Sequence, residues 1–115
     1  MRELGGGDFF LQAAYVAQVY EDYMAGADRN DVRAFAAKGD PTGLPPAFIA
    51  AAELDPIRDD SLRLVERMAA AGHPHTLKVY PGVMHTFFTQ SNIIDQAKIC
   101  IGDIAGFLGD TVGAP

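Results

Sequence analysis

Two short apolar runs with one helix-length segment between them constrain this chain most. The first, AFIAAAEL, covers Ala47 to Leu54. It is continuous rather than alternating, which predicts a strand buried on both faces. The second, TLKVYP, covers residues 76 to 81 and predicts another short strand. Between them, Asp59 and Asp60 favour a helix start, Leu62, Val65, Met68 and Ala69 carry its apolar side, and Gly72 ends it. Strand, helix and strand in that order imply a parallel sheet covered by helices.

The flanks extend the alternation. Asp8 is placed to cap a helix running to about Ala25, with Leu11, Val16, Val19 and Tyr23 near helical spacing and Gly26 as its stop. Residues 26 to 46 are rich in Gly, Pro, Asp and Asn and read as a long connection. Ile94, Ala97, Ile101, Ile104 and Leu108 mark the stripe of a final helix, which Gly102 and Gly106 either weaken or allow to pack closely. The expected fold class is α/β: parallel strands with flanking helices, in the order helix, loop, strand, helix, strand, helix. The 115 residues suffice for one small domain. Two parallel strands alone would leave two open edges and a half-covered core. Residues 1–115 therefore read as the closing section of a larger doubly wound sheet.

Composition excludes several functions. The net charge is -6 and the nine Lys and Arg are scattered, which argues against a nucleic-acid partner. Cys100 is the single cysteine, so neither an internal disulfide nor a thiolate metal cluster is possible, and its apolar surroundings predict a packed thiol. The first residues lack the apolar centre of a signal peptide, and no run is long enough to span a bilayer. A cytoplasmic location is the expectation, by absence of an address.

In open α/β sheets, reactive groups gather at the carboxyl ends of strands. Asp55 stands just past the end of the first predicted strand and His85 just past the second. If the strands are neighbours, the two loops lie side by side. A carboxylate there would accept the imidazole Nδ1–H, fix the tautomer, and stabilise the imidazolium formed when Nε2 takes a proton from a nucleophile.

The stretch GLPPAFIAAAELDPIRDDSLRLVERMAAAGHPHTLKVYPGVMHTFF closely resembles the C-terminal section of hormone-sensitive-lipase-like esterases, a branch of the α/β-hydrolase fold. In that family LPP leads into a strand ending in DPLRDE, a helix ending in AG follows, and the next strand runs into YPGMxHGF. The resemblance covers roughly residues 8 to 108. It implies Asp55 as the acid and His85 as the base of a Ser-Asp-His triad, with hydrolysis of small carboxylic esters, short acyl chains foremost. Chain order agrees, since the fold runs nucleophile, acid, histidine. No metal or organic cofactor is implied.

Three departures qualify the match. Thr86 follows the histidine where the family has Gly, with the potential to tilt His85 or narrow the acyl site, and Ser61 stands where Gly or Glu is usual. More important, no G-x-S-x-G elbow occurs. Ser61 and Ser91 are the only serines, and both follow Asp55, as does Cys100. The HGGG oxyanion loop is also missing. LGGGDFF, residues 4 to 10, lacks its histidine and reads as a flexible turn. The chain is thus expected to be a very weak esterase alone, or none. The alternative is a non-catalytic truncated fragment that self-associates through an exposed sheet edge or complements a missing N-terminal section.

Plainer roles are expected elsewhere. Asp59 reads as a helix cap, and Arg58 as the partner of Glu53 or Asp59. His73 and His75 read as a polar turn rather than zinc ligands. Of Phe87 and Phe88, one could line an acyl pocket while at least one packs in the core. Tyr15, Tyr20 and Tyr23 read as core or lid packing.

Overall fold

The computed structural model describes residues 11 to 113. Helix α1 (Ala13–Met24) leads through a long connection, with one 3₁₀ turn at Ala36–Lys38, into strand β1 (Ala47–Ala52). Helix α2 (Arg58–Ala70), strand β2 (His75–Tyr80), a 3₁₀ turn at Phe87–Gln90 and helix α3 (Asp95–Val112) follow. The order is the one the sequence predicts. β1 and β2 pair in parallel, from Ala47 opposite His75 to Ala52 opposite Tyr80.

Alternation along the strands divides the sheet into two faces. On one, Phe48 meets Phe107 of α3 with ring centroids 5.5 Å apart, and Lys78 and Tyr80 both donate to the Asp103 carboxylate of α3. α2 packs against both strands. The core sits at the carboxyl end of the sheet, where Ala52, Tyr80, Val83, Phe87, Ala97 and Cys100 cluster under Ile94 and Ile104. The packed thiol expected of Cys100 is found: it is free and 1% exposed.

Burial corrects three expectations. β1 is buried only at Ala51 and Ala52, while Ala47 to Ile49 are half-buried and Ala50 is exposed. On α3 the inward stripe runs through Ala97, Cys100, Ile104 and Phe107, leaving Ile101 and Leu108 half exposed. Gly102 and Gly106 have open space where a side chain would stand, so neither serves a close approach among the described residues. On α1 the buried positions are Val16 and Met24, with Tyr20 stacked on Phe35 of the connection, whereas Val19, Tyr15 and Tyr23 face solvent. That helix leans on the connection through one row of residues four apart, so an apolar residue off that row stays outside. Asp8 and the LGGGDFF glycines lie outside the described residues.

The connection is built from local carboxylate turns. Asp28, Asp31 and Asp40 each accept the N–H of the residue two positions on, which fixes a turn without regular structure. Arg67 of α2 then anchors it by donating to the carbonyls of Lys38 and Gly39. α2 ends in a Schellman motif: Gly72, at φ +65°, donates to Ala69, and His73 donates to Met68. His73 corrects the polar-turn expectation. It is 8% exposed, and its Nε2 bonds the Leu44 carbonyl. His75 is the first residue of β2, with Nδ1 against the His73 carbonyl.

Candidate active site

Both loops that follow the strands are fixed by backbone chemistry before any side chain meets another. Past β1, Pro56 is fully buried, and its ring biases Asp55 toward an extended backbone. Asp55 Oδ1 accepts the Ile57 N–H at 2.9 Å, a carboxylate turn that fixes the side chain's direction. Past β2, Gly82 adopts φ +69°, which a residue without Cβ reaches freely. Val83 is buried beside it, and the chain then rises to His85.

These loops bring the predicted pair together. His85 Nδ1 lies 2.8 Å from Asp55 Oδ2. The Asp55 side chain is 12% exposed and that of His85 30%. Both carboxylate oxygens are therefore engaged, one by the backbone and one by the ring. An ionised carboxylate only accepts, so this contact favours the tautomer with hydrogen on Nδ1 and a free lone pair on Nε2. The carboxylate at the end of β1 thus has its partner.

The pair lies on the wall of a cavity of ≈ 290 Å³. Ala50, Ala52, Ile57, Cys100 and Ile104 make much of the wall apolar, with Ser61 and Thr86 among its polar members. Phe87 and Phe88 both reach it but differ in character. Phe87 is buried against Tyr80 at 5.2 Å between ring centroids, whereas Phe88 is half exposed. Thr86 has φ +60°, in the left-handed region, and its Oγ1 donates to the His85 carbonyl. It does not tilt His85 away from Asp55.

Neighbouring groups behave less as the sequence suggests. Asp59 stands in the first turn of α2 rather than at its cap, which is Ile57. Arg58 lies 3.9 Å from the Asp59 carboxylate, but its closer bond runs from Nη1 to the backbone carbonyl of Glu53 at 2.9 Å. Sequence reasoning missed what Glu53 does: its carboxylate accepts the Gly82 N–H at 2.7 Å. A bond to a backbone amide 29 residues away leaves no residue pattern to read. On the sheet face, burial and then the Asp103 carboxylate push the Tyr80 phenol above its ordinary value, so it remains a proton donor to Asp103.

Known proteins agree with this architecture. The family model of the α/β-hydrolase fold matches residues 2 to 89. An α/β hydrolase enzyme from the metagenome of Lake Arreo, Spain, is 30% identical with a TM-score of 0.84, over 98% of this chain and 36% of that one. A hormone-sensitive lipase from a metagenome library is 28% identical with a TM-score of 0.87, over 94% of this chain and 37% of that one. A Pyrobaculum calidifontis esterase, at 23% identity and a TM-score of 0.82, shares the fold over 98% of this chain and 38% of its own. The chain spans little more than a third of each.

Proposed function

We propose, from the premise that this chain belongs to the α/β-hydrolase fold family, that it supplies the acid and the base of a serine esterase. The observation that carries this reading is the 2.8 Å contact between Asp55 and His85 at the ends of adjacent parallel strands. In the proposed reaction a serine from a section outside these 115 residues attacks the carbonyl of a small carboxylic ester. His85 Nε2 takes the hydroxyl proton and returns it to the leaving alcohol. It then takes a proton from the water that releases the acid from the acyl-serine and gives it back to the serine. Asp55 holds the ring and stabilises the imidazolium formed in between. Phe88 and the apolar wall receive the acyl group. Residues 1–115 are the C-terminal section of the hydrolase domain in this reading.

The test is hydrolysis of p-nitrophenyl acetate. The chain alone is expected to give no turnover that depends on its folded site. Supplied with a section bearing G-x-S-x-G and HGGG, it is expected to turn over. His85→Ala should then lower turnover by about 10⁶-fold and Asp55→Ala by about 10⁴-fold, because triad members act as a unit. Turnover that survives His85→Ala would remove the base from the scheme. Turnover by the chain alone, lost in both variants, would put a nucleophile within the 115 residues.

A second reading is a non-catalytic fragment that binds a second copy or the complementary section. What supports it is the two-stranded sheet, each strand of which keeps one unpaired edge among the described residues.

A further inference from the structure

An acid and a base on different loops meet only if the loops are held in register, and Asp55 and His85 cannot do this alone. Their hydrogen bond joins two side chains at the tips of segments 30 residues apart. The bonds beneath it run mainly through one residue. The Glu53 N–H donates to the Tyr80 carbonyl at 3.0 Å, continuing the ladder one step past β1. The Glu53 carbonyl accepts Arg58 Nη1 at the start of α2. The Glu53 carboxylate takes the Gly82 N–H at 2.7 Å, three residues before His85. Beside it, the Leu54 N–H donates to the Val83 carbonyl at 3.0 Å.

We propose that Glu53 is a positioning residue: its carboxylate, seated on the Gly82 amide, sets the His85 loop against the Asp55 loop. The proposal rests on the Asp55–His85 reading above. A charged acceptor makes a shorter and stronger bond than a neutral one, and Gly82, in a left-handed turn, gives its N–H to the Glu53 carboxylate. Glu53 itself is exposed, and burial therefore does not account for a carboxylate at this position. What suits it to this role is a side chain long enough to carry an acceptor from the end of one strand to the turn after the next.

The experiment is proton NMR of the full chain, following the far-downfield imidazole Nδ1–H of His85 and the Gly82 amide. The unaltered chain is expected to show the downfield resonance and a protected Gly82 amide. Glu53→Gln retains an acceptor and is expected to keep both. Glu53→Ala is expected to speed exchange of the His85 Nδ1–H on the order of tenfold, the scale of losing one hydrogen bond to a charged group, while amides within β1 and β2 stay protected. A resonance present in the unaltered chain and undisturbed in Glu53→Ala would overturn the role of Glu53 and leave the Asp55–His85 pair standing. A resonance missing from the unaltered chain would overturn the pair, and this role with it. Should Glu53→Ala fail to fold, Gly82 in the unaltered chain decides: exchange there at the free-peptide rate would overturn the proposal, and protection retained in Glu53→Gln would support it.

Discussion

Thr86 carries the clearest strain in the site. Its backbone lies at φ +60° and ψ +16°, a region that β-branched residues rarely enter. The hydrogen bond from its Oγ1 to the His85 carbonyl offsets part of the cost. A glycine at this position would reach the same backbone angles without a Cβ penalty. Thr86→Gly is expected to stabilise the fold by about 1 kcal/mol, the left-handed penalty less the extra entropy of an unfolded glycine. Urea denaturation checks this; a lower midpoint in the variant would show that the threonine bond outweighs the backbone strain. At this scale the sequence was informative wherever a residue's role is local. The contact between Asp55 and His85 was legible because each follows a strand end directly. Glu53 was not, since its partner is a backbone amide. His73 was misread because nothing nearby announces that Leu44 returns to cover it.

Elements were legible through turn chemistry and run length. The β1–α2–β2 order followed from two short apolar runs and Gly72, which sits at φ +65° as a helix stop requires. Which faces are buried was harder, because burial depends on the layer that covers an element and not on the element itself. Ile101 and Leu108 have helical spacing yet lie away from the sheet, while Ala97 and Cys100 beside them are buried. The tie between α3 and β2 is electrostatic as well as apolar. Hydrogen bonds from Lys78 and then Tyr80 hold the Asp103 carboxyl below its ordinary value of 3.8. A carboxyl lowered in the folded state adds stability above its unfolded pKa of about 4, and that stability is lost as the pH falls through the folded value. Lys78→Met removes the largest cause and is expected to flatten the loss of stability as the pH falls below about 4. Equal acid sensitivity of the two proteins in urea titrations would detach Asp103 from that loss.

For the whole molecule the surface is large. The chain exposes 7732 Å², where a compact monomer of its size exposes about 6,100 Å². The difference, about 1,600 Å², is about twice what one partner contributes to a standard protein–protein interface. Ile101, Leu108 and Val112 on α3, and Val79 on β2, contribute apolar atoms to it. No helix among the described residues is long and apolar enough to cross a membrane. Association with a second copy is therefore expected at micromolar concentration; light scattering that finds only monomer would count against it. Whether alone or associated, the chain is proposed to use Asp55 to hold the His85 ring so that Nε2 is the base. Long-range proton–nitrogen NMR of the neutral His85 ring tests it most directly. The Nδ1–H tautomer is expected in the unaltered chain and its loss in Asp55→Ala. An Nε2–H tautomer in the unaltered chain would contradict it.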